Sequence, residues 1–204
     1  KEEQTTDIDK ADYIHKCYIP PELFDQLLEH LECKTDFERE RDELALKIGY
    51  EMGLRSEELV RANNWSIKKL KAARLNWRFG EEIEWENLIG KGSGGGKARN
   101  VLIKPGMAEL IFEHMDKYKE IYEKSEQLFC HSNGTRLSDK HGTNTFYNAK
   151  LNFNHNELNF KSFQKLRHSY ATNTALWCIK KGIPLRLVQD RMGHSDLSTT
   201  ELYF

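Results

Sequence analysis

Apolar residues recur at three- and four-residue intervals along most of the chain, a period that predicts a mainly helical protein. Phe24, Leu27, Leu28 and Leu31 follow the pair Pro20-Pro21. Proline suits the first turn of a helix, where its missing N–H would be unpaired anyway. A second helix is predicted over about Asp36 to Met52, with Leu44, Ala45, Ile48 and Met52 inward and Gly53 as its stop. A third begins near Arg55 and carries Leu59 and Val60. The period then changes. Asn76-Trp77-Arg78-Phe79 and Glu82-Ile83-Glu84-Trp85-Glu86 alternate polar with apolar, and Asn100-Val101-Leu102-Ile103 is a short β-branched run. These three segments predict a small antiparallel sheet of three strands, with turns at Gly80 and across the glycine-rich residues 90–96. Helices resume over about residues 107–123, 143–151, 163–180 and 185–192, and a last one is expected around 197–203. The expected fold is α+β, mostly α-helical with a small three-stranded antiparallel sheet. No internal repeat is visible.

The chain has 204 residues, enough for one generous domain or a domain with an appendage. Residues 1–18 are polar and acidic at the start and have no apolar centre, so they read as a tail or linker rather than a signal peptide, with the folded domain over 19–204. A chain that starts at Lys1 instead of Met is expected to be a fragment of a longer protein. No run of about 18 apolar residues appears, so no membrane span is expected. Cys17, Cys33, Cys130 and Cys178 are far apart and form no CxxC pair, and the eight histidines include no HExxH, so neither a disulfide framework nor a metal site is expected. Net charge is only −1. Its distribution is more informative. Residues 61–105 hold ten Lys/Arg against four Glu, and residues 161–204 hold seven Lys/Arg against three acids, while the first sixty residues are acidic. One basic face on an acidic body has this pattern, and so has an ordinary mixed surface.

The glycine stretch Gly90-Lys91-Gly92-Ser93-Gly94-Gly95-Gly96-Lys97 contains a formal GxGxxG, but that fingerprint needs a helix after it, and the following segment reads as a strand. A Walker A loop would need glycine at position 91 and Ser or Thr at 98, which are Lys91 and Ala98. What remains is a hairpin with two lysines at its tip, either a solvated turn or a basic finger able to carry an ammonium to a phosphate. Three further blocks stand out: Gly53-Leu54-Arg55-Ser56-Glu57-Glu58-Leu59, Leu166-Arg167-His168-Ser169-Tyr170-Ala171-Thr172 and Gly193-His194-Ser195-Asp196-Leu197-Ser198-Thr199-Thr200-Glu201-Leu202-Tyr203. Taken singly, each residue has a structural explanation: Arg55 with an i,i+3 Glu partner, Ser195 or Asp196 as an N-cap, Tyr203 as a half-buried ring.

In this order and spacing the four blocks resemble the tyrosine recombinase (phage integrase) family, whose members include phage and transposon integrases and chromosome-dimer resolving recombinases. The last block is the most specific, with nine specified positions in a stretch of eleven. The resemblance covers roughly residues 20–204 and implies that family's catalytic-domain fold. Position by position, it implies that Arg55 and Arg167 are the two catalytic arginines, Lys91 the hairpin lysine with Lys97 as a rival, His194 the late histidine, and Tyr203 the nucleophile. Glu58 matches an acidic residue that braces the site. Lys91, Lys97 and Arg99 are expected to contact DNA. Gln164 departs from the pattern, standing where the family usually has histidine; it can donate a hydrogen bond but cannot take a proton.

The resemblance further implies phosphoryl transfer that needs no cofactor. Two guanidiniums replace the metal in holding a phosphate whose charge grows in the transition state. Tyrosine captures the DNA covalently, so the strand can be resealed without ATP. The expected partners are double-stranded DNA and further protomers assembled on it, a tetramer in the active complex. The expected location is the cytoplasm, at the nucleoid. A relaxing type IB-like topoisomerase and a non-catalytic DNA-binding relative stay open as alternatives. The resemblance also implies an N-terminal DNA-binding domain, and a tail beyond Tyr203, outside this chain. Tyr203 lies next to the chain end with no following element and is expected to be partly mobile.

Overall fold

A computed structural model describes residues 16–91 and 95–193. The expected helix at 197–203, His194 and Tyr203 with its expected mobility lie outside these residues. Helix α1 (Pro21–Leu28) starts at the proline pair and buries Leu23, Phe24, Leu27 and Leu28. Phe24 stacks on Tyr50 of α2 with ring centroids 4.2 Å apart. Helix α2 (Asp36–Met52) is capped by the Thr35 hydroxyl, which accepts from the Glu38 N–H, and ends at Gly53 with φ +69°. It buries Phe37, Leu44, Ala45, Leu46, Ile48, Tyr50 and Met52, more than one stripe, because it runs through the middle of the molecule. Gly49 is where α8 (Phe163–Lys181) comes closest: a Cβ there would lie 2.8 Å from Cζ of Phe163.

Short helix α3 (Ser56–Val60) leads into α4 (Ile67–Asn76), which the sequence periodicity did not separate from its surroundings. Ser66 caps α4 by accepting from the Lys69 N–H, and the run Lys68-Lys69-Leu70-Lys71-Ala72-Ala73-Arg74-Leu75 is made of strong helix formers. This corrects the expectation of a strand over 76–79. Asn76 closes the helix, Trp77 tilts against Phe112, and Phe79 is exposed in a turn. Among the described residues the sheet therefore has two strands, not three: β1 (Ile83–Gly90) and β2 (Lys97–Ile103), antiparallel, with Ile83 opposite Ile103 and Gly90 opposite Lys97. The register slips between Trp85 and Leu88, where Asn87 adopts φ +56°. The slip turns both Trp85 and Leu88 toward the core, where Trp85 stacks on Trp65.

The helix expected over 107–123 is two helices, α5 (Pro105–Lys117) and α6 (Lys119–Tyr122), separated at Tyr118 by a non-helical φ of −114°. Tyr118 and Tyr122 both meet the Phe37 ring edge-on. Helix α7 (His141–Phe153), a 3₁₀ turn (Asn156–Leu158), α8 and α9 (Arg186–Met192) complete the order. One core takes in α1 to α7 and the start of α8; a smaller one, of Ala171, Ala175, Cys178, Val188 and Met192, fills the corner between α8 and α9. The segment before α1 is fastened by polar contacts: the Ile19 N–H donates to Ser169 Oγ and the Tyr50 hydroxyl to the Ile19 carbonyl. All four cysteines are free thiols. Among the described residues, no helix is long and apolar enough to cross a membrane.

Candidate active site

Four separate stretches of sequence meet around one buried ion pair. Glu58, in the first turn of α3, is fully buried. Its carboxylate takes both terminal nitrogens of Arg99 from β2, with Oε1 at 3.0 Å from Nη2 and Oε2 bonded to Nη1. Oε1 also accepts the Arg55 backbone N–H at 2.8 Å. One carboxylate thereby fixes the start of α3, where Arg55 sits, against the hairpin. The Arg55 side chain is about a third exposed and reaches the same oxygen only at 4.0 Å. Its guanidinium is therefore tethered loosely and faces outward. Arg99, expected to contact DNA, is instead turned inward and only 7% exposed. The exposed hairpin cations are Lys91 and Lys97.

Arg167, on α8, is 3% exposed. Its Nη1 donates to the Gly53 carbonyl at 2.6 Å and its Nη2 to the Met192 carbonyl. Gly53 ends α2 two residues before Arg55, and Met192 ends α9 two residues before His194. A single planar fork thus joins the two segments that lead into Arg55 and His194. Both joints are crowded. A Cβ at Gly53 would sit 2.4 Å from Cδ1 of Tyr170, and a Cβ at Gly193 would sit 3.0 Å from Cδ of Arg99. Burial pushes the Tyr170 phenol above its ordinary pKa, against the pull of the nearby Arg191, Arg99 and Arg167. Gln164 lies one turn before Arg167 on α8 and is exposed.

Three residues without a sequence signal hold the hairpin in place. Asn64 is fully buried; its amide donates to the Glu58 and Ile89 carbonyls, and its oxygen accepts the Ile89 N–H at 2.7 Å. Arg61 donates to the Gly90 and Gly95 carbonyls at 2.9 Å each. Arg191 on α9 grips Glu84 of β1 at 2.6 Å and the Asn100 carbonyl of β2 at 3.2 Å. The Glu84 hydrogen bond and charge raise the pKa of Arg191 further. Helix α7 abuts the same region: Ser56 Oγ donates to the Asp139 carbonyl and accepts the Thr143 N–H. Two surface clefts, about 320 and 520 Å³, lie along α2 and α5 and share no residue with this cluster.

The arrangement follows a known pattern. The sequence pattern of the phage integrase family matches residues 18–204. The chain belongs to the phage integrase family. Among curated relatives of this family, tyrosine recombinase XerA of Pyrococcus horikoshii is 32% identical over 164 residues, covering 80% of this chain and 50% of that protein. Tyrosine recombinase XerC of Escherichia coli O127:H6 is 31% identical over 163 residues, covering 80% of this chain and 48% of the relative. The chain spans about half the length of these relatives. The fold matches the XerH site-specific recombinase bound to difH substrate, with a TM-score of 0.65 and 25% identity over 92% of this chain and 49% of that one. It also matches a XerA recombinase crystal structure, with a TM-score of 0.63 over 91% of this chain and 59% of that one; at 19% identity this likeness concerns the fold alone. The family assignment gives Arg55, Arg167 and the hairpin a common frame: they belong to one catalytic-domain fold, mostly helical with a small antiparallel sheet.

Proposed function

We propose that this integrase-family domain cuts and rejoins double-stranded DNA at a specific site through a 3′-phosphotyrosine on Tyr203, without a metal ion. The observation that carries the reading is the convergence on the Glu58–Arg99 pair. It draws the first arginine block, the hairpin and the segment leading to His194 to one place, and Arg167 ties the same segments from behind.

In this reading Arg55 binds the non-bridging oxygens of the scissile phosphate, where charge develops as a fifth ligand joins phosphorus, and Arg167 turns to them from the Gly53 and Met192 carbonyls when DNA binds. The Tyr203 oxygen attacks, its bond to phosphorus forms, and the P–O5′ bond breaks. Lys91 gives a proton to the departing 5′-oxygen, with Lys97 as the alternative donor on the same hairpin. His194 and Gln164 add hydrogen bonds to the phosphate. Since an amide cannot accept the phenol proton, a group other than residue 164 takes it. Glu58 and Arg99 touch no DNA; they hold Arg55 and the hairpin in register. Attack of a 5′-hydroxyl from another duplex on the phosphotyrosine reverses the chemistry and exchanges strands. Exchange needs several protomers on DNA, and a tetramer supplies one nucleophile for each of the four strands. The likeness of this chain to a recombinase bound to its DNA substrate supports DNA as the partner, and the work would then take place in the cytoplasm at the nucleoid.

The test is recombination in EDTA between two duplexes that carry the cleavage site, mapped by sequencing genomic DNA captured covalently by the wild-type protein. Recombinant joints from wild type and none from Tyr203→Phe are expected. Relaxation of any supercoiled plasmid without recombinants would point instead to a topoisomerase. Binding without either product would point to a non-catalytic relative.

A further inference from the structure

From the geometry at the base of the hairpin we infer that Arg61 is a positioning residue for the leaving-group acid: it fixes the stalk from which Lys91 reaches the departing 5′-oxygen. The inference rests on the reading of Lys91 given above.

Arg61 is the residue just after α3, and its two terminal nitrogens go to opposite limbs of the hairpin. Nη1 takes the Gly90 carbonyl and Nη2 the Gly95 carbonyl, each at 2.9 Å. Gly90 is the last residue of β1 and the immediate neighbour of Lys91. The fork thus spans the hairpin at the point where its strand pairing ends, at Gly90 opposite Lys97. The backbone is shaped to meet it. Gly95 and Gly96 have φ of +99° and +103°, values that side chains other than glycine rarely adopt. A Cβ at Gly96 would lie 2.5 Å from the Gly90 oxygen, 2.5 Å from Ile89 Cγ2 and 2.8 Å from Arg61 Nη2. The glycine at position 96 therefore leaves room for the guanidinium. Its terminal nitrogens bond carbonyls on both limbs, which places Arg61 to act on the hairpin.

The need for such a clamp follows from the composition of the loop. Glycine has the widest backbone freedom of any residue, and five of the seven residues from 90 to 96 are glycine. A proton donor must lie within hydrogen-bond reach of its acceptor at the moment of bond breaking. Asn64 secures Ile89, and Arg61 carries the restraint one residue further, to the neighbour of the lysine.

The experiment compares a nicked duplex bearing an ordinary scissile phosphate with one bearing a 5′-bridging sulfur at that position. In both, the Tyr203 oxygen bonds to phosphorus; in the first the P–O5′ bond breaks and the oxygen takes a proton, while in the second the P–S bond breaks and a thiolate leaves without one. Lys91→Ala should slow adduct formation on the ordinary substrate by about a hundredfold or more and be restored by sulfur. Arg61→Ala should slow it by about tenfold or more, since misplacing a reacting group by an ångström can cost up to about a hundredfold, and should also be restored by sulfur. Arg61→Lys, which keeps the charge but not the planar fork, and Gly96→Ala, which leaves Arg61 in place but crowds it, should show the same sulfur-dependent recovery. Arg55→Ala should be slow on both substrates. If Lys91→Ala recovers with sulfur but Arg61→Ala, Arg61→Lys and Gly96→Ala do not, the inference about Arg61 is wrong while the reading of the site stands. Recovery of Lys97→Ala in place of Lys91→Ala, or no Tyr203-dependent adduct from wild type, overturns the role of Lys91 and the inference with it.

Discussion

Replacing Glu58 by alanine removes the carboxylate at the centre of the site, and its cost can be estimated from the contacts. Arg99 would keep its buried position but lose both hydrogen bonds from its terminal nitrogens, and its Nε already lacks a partner among the described residues. Leaving one member of a buried pair uncompensated costs about 3–5 kcal/mol. The Arg55 N–H also loses its acceptor, worth about 1 kcal/mol. A total of about 4–6 kcal/mol is a large part of the roughly 5–15 kcal/mol that holds a domain together. For a chain of this size it should lower Tm by roughly 10–20 °C. Urea unfolding of Glu58→Ala should show a lower midpoint with an unchanged slope. Glu58→Gln keeps the volume and one acceptor oxygen and should fall between it and wild type. The double variant Glu58→Met with Arg99→Met, which removes both charges, should cost less than Glu58→Ala alone. A loss below about 0.5 kcal/mol for Glu58→Ala, the size of an ordinary surface substitution, would refute the central place given to this pair.

Other consequences are open to simple measurements. Gly53→Ala forces a side chain into the left-handed region and against the Tyr170 ring, so it should cost about 2–4 kcal/mol in thermal unfolding; a loss under about 1 kcal/mol would contradict the close packing. Arg167→Lys cannot reach both the Gly53 and Met192 carbonyls with one planar fork, so adduct formation should fall by about a hundredfold or more while DNA binding changes only a few-fold; equal loss in both would show that Arg167 serves binding alone. His114 is buried beside Tyr122, and burial, aided by Arg41 and Lys117 against the opposing pull of Glu40, lowers its pKa from 6.5 to about 4. The folded protein therefore holds it neutral where the unfolded chain would protonate it, so its contribution is complete above pH 6.5 and is lost as pH falls toward 4, a decline of about 3 kcal/mol. Unfolding of His114→Asn across that window should show a shallower decline than wild type; identical slopes would contradict the assignment.

Much of the helical frame was legible because its ends are marked chemically. Pro20-Pro21 at the start of α1 and Gly53 after α2 are residues favoured at helix starts and stops, and the inward residues of α2 repeat at helical spacing. The four blocks were legible in sequence as a pattern in order, and the described parts of them lie together in the fold. What stayed hidden is set by tertiary contacts. Alternation over Asn76 to Phe79 is too short to make a strand after the eight helix formers before it, so α4 runs to Asn76 and a turn follows. The break at Tyr118 has no proline or glycine to announce it. Arg99 looks in sequence like one more cation of a basic hairpin; only the fold reveals that Glu58 lies opposite and draws it inward. Arg61 and Asn64 could not be singled out, because their partners on the hairpin are backbone carbonyls and an N–H 25 to 34 positions away, and main-chain atoms leave no sequence signature.

The most direct test of the account uses the chain with a duplex nicked just beyond the scissile phosphate, so that the short cut strand diffuses away and the cleaved state is trapped. After denaturation and digestion, mass spectrometry of the adduct should place a phosphodeoxynucleotide on the peptide containing Tyr203, formed in EDTA and absent from Tyr203→Phe. An adduct on another residue, or one that persists in Tyr203→Phe, would contradict the account.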